Sequence, residues 1–196
     1  LSLMENQIIT LLKDKLDNIW VGTNGGGLHK FLFKASQFLP IKSLFDKRDY
    51  QTISAIFEDT KNGLWIGTFR DGIYKLNSTT LVITDHYSFE DELTNSGLSA
   101  FLEDDKNNLW ISTNLGLSRL NLIEKTFRNF DKTDGLYSNF FNLGASLKSK
   151  TGRMYFGTNA GLVYFHPDSI VIDSVPPQVV IQNISLFNRP DEILEY

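Results

Sequence analysis

A chain of 196 residues, 41% hydrophobic and 21% charged, has the make-up of a globular protein and is too apolar to be disordered. Its formal net charge of −4 provides no basic footprint, which argues against nucleic acid as a partner. It has no cysteine, which excludes disulfides, thiolate metal sites and cysteine nucleophiles without fixing a compartment. No apolar run approaches the roughly 18 residues needed to span a bilayer. Leu1 to Gln7 shows no signal-segment pattern and reads like the loop that precedes later repeats, so the chain reads as an excerpt of a longer polypeptide.

In chain order, one five-residue stretch recurs four times. It reads Ile19-Trp20-Val21-Gly22-Thr23, Leu64-Trp65-Ile66-Gly67-Thr68, Leu109-Trp110-Ile111-Ser112-Thr113 and, more weakly, Met154-Tyr155-Phe156-Gly157-Thr158. The aromatic position repeats every 45 residues and holds all three tryptophans of the protein. A fixed period of this size indicates a propeller or solenoid.

Each repeat divides into four short apolar segments separated by turn residues, the all-β pattern. In the second they are Ile53 to Glu58, Leu64 to Thr68, Ile73 to Leu76 and Val82 to Phe89. The first turn is rich in Asp, Asn and Gly, as in Asp59-Thr60-Lys61-Asn62-Gly63, and suits a tight hairpin. The next follows the threonine and always closes on glycine, from Asn24-Gly25-Gly26-Gly27 to Asn159-Ala160-Gly161. No window carries a 3.6-residue amphipathic period, so almost no helix is expected.

The Trp-bearing segment is apolar almost throughout, as a strand reads when both faces of its sheet are covered. Stacked propeller blades supply that cover. Trp20, Trp65, Trp110 and Tyr155 are therefore expected to form the repeated packing core. The Gly or Ser two residues on suggests room for the ring against an adjacent blade.

Propeller repeats are expected over 1–173, with blades at roughly 7–51, 52–96, 97–141 and 142–173. Four of the five prolines follow Phe165, and Pro176-Pro177 reads as an extended connector. Val179 to Leu186 reads as the first strand of a further domain, so 174–196 is assigned to a linker and a truncated second domain.

These residues resemble the two-component regulator propeller repeat, found in the extracytoplasmic sensor halves of hybrid two-component systems, typically in Bacteroidetes. The pattern Asp-x-x-x-(Asn/Gly)-(Leu/Ile)-Trp-(Ile/Val)-Gly-Thr-x-x-x-Gly-(Leu/Ile) stands at 14–28 and 59–73, with a one-residue-shorter form at 104–117. Asp134-Gly135-Leu136, Asn139-Phe140, Gly152 to Gly157 and Phe165-His166-Pro167 resemble the final blade of such a sensor. The resemblance implies an immunoglobulin-like domain after Pro176-Pro177, and hence an all-β chain of propeller blades followed by the first strand of a β-sandwich. It also implies a periplasmic sensor, often for oligosaccharides from glycan breakdown, that signals through a membrane helix to a histidine kinase. Family propellers have more blades than the four repeats present, and no kinase, receiver or membrane segment stands in this sequence. Membrane association would come only through such missing segments, and a homodimer is expected of the full-length protein.

Glu58-Asp59, Glu103-Asp104-Asp105 and Glu90-Asp91-Glu92 could be paired carboxylates, but the first two recur at a hairpin entrance, where turn bonding is the simpler role. No EF-hand spacing occurs, and Asn24 to Gly27 lacks the Lys-Ser/Thr of a phosphate loop. His29, His86 and His166 share no metal-ligand spacing, and no nucleophile elbow is present. Neither cofactor nor metal is expected, and no catalytic residue is assigned.

Ligand contacts are expected on loops, where the repeats diverge most. Antiparallel blades put the turns after the second strand on the same face as the connections between blades. That face carries Phe69, Arg70 and Asp71, then Arg48, Asp49 and Tyr50, then Tyr137, Asn139, Phe140 and Phe141. Arginine forks and aromatic platforms suit a sugar, and Arg48, Tyr50, Phe69, Arg70, Asp71, Tyr137 and Asn139 are the candidate set. Loop packing is the simpler role for Phe140 and Phe141. A propeller-fold lyase or glycosidase, and a structural or adhesion propeller, are the alternatives. Open sheet faces predict that the excerpt alone is marginally stable or self-associating unless it closes as a four-blade ring.

Overall fold

The computed structural model describes residues 3, 7–41, 52–88, 93 and 97–170. Among these, fifteen strands form four antiparallel sheets in chain order. The first blade is β1 (Ile8–Lys13), β2 (Ile19–Thr23), β3 (Leu28–Leu32) and β4 (Gln37–Pro40). The second is β5 (Ile53–Glu58), β6 (Gly63–Thr68), β7 (Ile73–Asn77) and β8 (Ile83–Tyr87). The third is β9 (Leu98–Glu103), β10 (Asn108–Thr113), β11 (Leu117–Asn121) and β12 (Phe127–Phe130). The fourth has three strands among the described residues: β13 (Phe141–Lys148), β14 (Met154–Thr158) and β15 (Gly161–Phe165). Each sheet is a meander in which every strand pairs with its sequence neighbour. The chain is all-β, with short 3-10 turns such as Lys132–Asp134 as its helical content among the described residues. The linker and second-domain assignment at 174–196 lies outside them.

The first strands β1, β5, β9 and β13 touch in succession and form the inner rim of the stack. Packing between blades is reproduced three times. Trp20, Leu28 and Ile41 of blade one meet Ile53, Ile56, Leu64 and Ile66 of blade two. Trp65, Ile73 and Tyr87 meet Leu98, Phe101, Leu109 and Ile111. Trp110, Leu117 and Phe130 meet Phe141, Met154, Phe156 and Val163. The tryptophan thus faces the following blade, while the residues flanking it in the strand face the preceding one. β6 and β10 are buried at every position for this reason.

Room beside the tryptophan is made differently from the sequence-based expectation. A Cβ on Gly22 would stand 2.7 Å from Ile53 Cγ2, and one on Gly67 would stand 3.1 Å from Phe101 Cζ. The missing side chain admits the first strand of the next blade rather than the indole ring.

Blade four departs from the pattern. Trp20, Trp65 and Trp110 are at most 1% exposed, whereas Tyr155 is half-buried. Its face meets no further blade among the described residues, and Leu147, Leu162 and Tyr164 beside it are exposed. Tyr155 belongs to the outer face of the stack and not to the inter-blade core expected for it.

Candidate ligand-binding face

The two ends of the stack are built from different chemistry. At one end lie the first hairpins, where the aspartates are consumed by structure. Asp59 Oδ1 accepts from the amides of Lys61 and Gly63, and Oδ2 accepts from Trp65 Nε1 at 2.9 Å. Asp14 and Asp104 make the same bonds to Trp20 Nε1 at 2.8 Å and Trp110 Nε1 at 3.0 Å. Lys75 adds a 2.9 Å ion pair to Asp59 and stands 4.8 Å from the centre of the Trp65 ring. Burial alone would raise the Asp59 carboxyl, but the Lys75 ammonium, the indole and the Gly63 amide outweigh it and hold it below the usual aspartate value.

The neighbouring acids link blades. Glu58 accepts from the Lys15 amide at 2.8 Å, and Glu103 accepts from the Thr60 amide and hydroxyl at 2.7 and 2.9 Å. Between blades three and four the polarity is reversed, with the Lys148 ammonium 2.7 Å from Asp105. These recurrent acids are turn braces and inter-blade links. Glu90-Asp91-Glu92 lies outside the described residues. Among the described residues no group of three His, Asp or Glu side chains is placed to hold a metal.

The opposite end carries the variable loops. Each turn after the second strand is tied to the residue ahead of its own blade's first strand. The amides of Asn24, Phe69, Asn114 and Asn159 donate to the carbonyls of Gln7, Thr52, Gly97 and Phe140. Turns and inter-blade connections therefore share this face, as antiparallel topology requires. Beneath them, Thr23, Thr68, Thr113 and Thr158 each donate a hydroxyl to the carbonyl of the closing glycine. The repeated threonine anchors the turn while the residues between are free to vary.

The sequence-predicted ligand residues have unequal places on this face. Phe69 is 47% exposed and Arg70 is exposed, both on the blade-two turn. Asp71 is committed to that turn: its amide donates to the Thr68 hydroxyl, its carboxylate accepts from Tyr74 Oη, and its carbonyl accepts from His86 Nε2 at 2.8 Å. The Tyr74 and His86 rings stack at 4.2 Å and fix the arrangement.

Tyr137 is 74% exposed, in the connection between blades three and four. Asn139 braces that connection by accepting from the Lys132 amide at 2.9 Å. The same connection holds a reciprocal cap, in which Asp131 accepts from the Thr133 amide and Asp134 from the Asp131 amide. Phe140 is half exposed, whereas Phe141 is buried and packs edge-on against Phe156. Arg48, Asp49 and Tyr50 lie outside the described residues.

A cavity of about 540 Å³ between β12 and β15 includes Tyr137 in its wall and none of the other candidates. The structure places Phe69 and Arg70 on one blade and Tyr137 and Asn139 on another, without uniting them in that cavity.

Two component regulator propeller repeats match residues 2–25 and 48–70, the approach to and the first two strands of blades one and two. Blades one and two thus match the two-component regulator propeller repeat. It is 40% identical over 78 residues to Histidine kinase P4 of Formosa agariphila, an alignment covering 40% of this chain and 6% of that protein. The chain thus spans a small part of the length of the relative it matches.

Among solved structures, the extracellular domain of the hybrid two component system BT3049 from B. thetaiotaomicron superposes with a TM-score of 0.75 at 24% identity. That match covers 84% of this chain and 22% of that one. The extracellular domain of BT4673 from the same organism gives 0.72 at 22% identity, over 84% and 23% of the two chains. At these identities the likeness shows the propeller fold. The chain follows that fold through four successive blades.

Proposed function

We propose that this chain is part of the extracytoplasmic, periplasmic sensor region of a hybrid two-component histidine kinase. It acts as a non-enzymatic binding segment, and its ligand is a glycan-derived oligosaccharide held on the loop face by Phe69, Arg70 and Tyr137. Arg48 and Tyr50 complete the proposed contact set, while Asp71 and Asn139 hold the loops that present it. The observation that carries this reading is the 40% identity with Histidine kinase P4 across 78 residues. The separation of a recurrent hairpin end from a more variable loop end supports the choice of face.

In the full-length protein, taken to be a homodimer, ligand binding biases the propeller relative to the domain that follows. That change passes through the membrane to the kinase. Titration calorimetry of the full-length ectodomain against a panel of glycan-derived oligosaccharides tests the proposal. Saturable binding that Arg70→Ala and Phe69→Ala weaken, with melting temperature unchanged, is the expected result. Turnover of those glycans by the ectodomain, or binding indifferent to both substitutions, would overturn it.

A further inference from the structure

Three of the four turns that follow a second strand open on asparagine: Asn24, Asn114 and Asn159. In blade one the carboxamide is engaged at both atoms. Asn24 Oδ1 accepts from the Thr52 hydroxyl of blade two at 2.9 Å, and Nδ2 donates to Gln7 Oε1 at 2.7 Å. In blade four Asn159 Oδ1 accepts from the Ser138 hydroxyl at 2.8 Å. Blade three differs. Asn114 Oδ1 is buried and accepts from no group among the described residues.

The sequence explains the difference. Gln7 and Thr52 stand immediately ahead of β1 and β5, and the residues in that place ahead of β9 and β13 are Gly97 and Phe140. Glycine has no side chain to accept, and phenylalanine has no hydroxyl to donate. The Asn114 carboxamide lies directly on Gly97, where an added Cβ would stand 2.8 Å from it. Phe140, in the Thr52 place, is half exposed. A buried acceptor without a donor disfavours the folded chain, and blades one and four avoid it with a hydroxyl.

We propose that Asn114 and Phe140 form a saccharide subsite on the loop face, with two neighbouring hydroxyls of one sugar ring bonding Asn114 as Thr52 and Gln7 bond Asn24. It rests on the reading of that face as an oligosaccharide site. Oδ1 accepts from one hydroxyl, Nδ2 donates to the next, and the C–H face of the ring packs on Phe140. Asparagine χ2 is broad and roughly two-fold, so a turn of the carboxamide brings either atom to the surface of this half-buried residue. Blade three stands between Phe69 and Arg70 of blade two and Tyr137 ahead of blade four, so the subsite joins two groups that otherwise lie apart.

Two measurements test it. Without ligand, Phe140→Thr restores the hydroxyl that Thr52 supplies and Phe140→Val is its isostere without one. The threonine variant should melt higher than the valine variant, and the difference should vanish when Asn114→Ala is added. Equal melting of the two would overturn the geometry. The second is calorimetric titration of the full-length ectodomain with cellohexaose, xylohexaose, mannohexaose and laminarihexaose. Asn114→Ala should weaken the sugar that binds about tenfold, and Asn114→Asp, which keeps the acceptor, by less than about threefold. Phe140→Thr should abolish binding, because its own hydroxyl occupies Asn114. Asn114→Ala should leave the melting temperature unchanged or raised, and a fall would make the carboxamide a structural brace and overturn the subsite. Binding weakened by Arg70→Ala but not by Asn114→Ala would overturn the subsite alone. Binding of none of the four sugars would overturn the oligosaccharide reading, and the subsite with it.

Discussion

The Asp59 carboxylate accepts a hydrogen bond from the Trp65 indole at 2.9 Å, in a setting where both side chains are 1% exposed. The bond ties the first hairpin of the blade to the ring that packs on the next blade. In blade four the aspartate, the tryptophan and the cation above it are replaced together by Ser149, Tyr155 and Tyr164. Asp59→Ala should therefore destabilise the chain by about 2–4 kcal/mol, because it orphans a buried indole donor, two amides and the Lys75 ammonium. Ser149→Ala should cost less than about 0.5 kcal/mol, since its bond to the Arg153 amide is exposed. Urea unfolding of the two variants checks the contrast.

The same site predicts acid sensitivity. Burial pushes the Asp14 and Asp59 carboxyls up, but donors from Trp20 and Asn18, and from Lys75 and Trp65, hold both below their ordinary value of 3.8. A carboxyl whose pKa is lower in the folded than in the unfolded chain stabilises fully above the unfolded value. That stability is lost as pH falls through the folded one. Asp59→Asn should flatten the fall in stability below about pH 4, measured by urea midpoints across pH.

His29 titrates in a milder range. Its ring is 1% exposed, and burial outweighs the contact with the Gly27 backbone and holds its pKa below the ordinary 6.5. The unfolded chain takes up this proton first, so stability is complete above the ordinary value and declines as pH falls below it. His29→Leu should remove that component of the decline as pH falls below about 6.5, as read from melting temperatures.

The tryptophan position predicts a gradient along the stack. Trp65→Ala should cost about 3–5 kcal/mol as a large-to-small change in a closed interface. Tyr155→Ala, on the half-buried outer face, should cost only about 1 kcal/mol. An equal loss for both in chemical denaturation would contradict the placement of Tyr155.

Close approach between blades can be tested by adding one methyl group. Gly22→Ala would put a Cβ 2.6 Å from Thr10 Cγ2 and 2.7 Å from Ile53 Cγ2, against a nearest contact of 3.1 Å for Gly67→Ala. Gly22→Ala is expected to lose about 2–3 kcal/mol and Gly67→Ala about 1 kcal/mol in the same assay.

Much of this was legible in the chain. The period of Trp20, Trp65 and Trp110 identified the blade, and Asp59 and Asp104 were readable as turn residues from their recurrence. The indole bond was within reach as well, since Asp stands six residues before Trp three times and both change together in the fourth copy. The links from Lys15 to Glu58 and from Thr60 to Glu103 were less accessible. They join residues some 43 apart and change polarity at Asp105 and Lys148. On the loop face, Phe69, Arg70 and Asp71 look alike in sequence, yet Asp71 is bound into its turn by Tyr74 and His86.

The sequence by itself determined the all-β class, the blade period, the turn residues and the face on which the repeats vary. These follow from local rules: strand patterning, positive-φ turn chemistry and the alternation of antiparallel strands repeat wherever the residues repeat. Only the tertiary structure decided that the glycines admit the next blade and that Tyr155 lies outward among the described residues. Those properties depend on what stands across the sheet face, and a side chain's burial belongs to the pair of surfaces in contact, not to either strand alone.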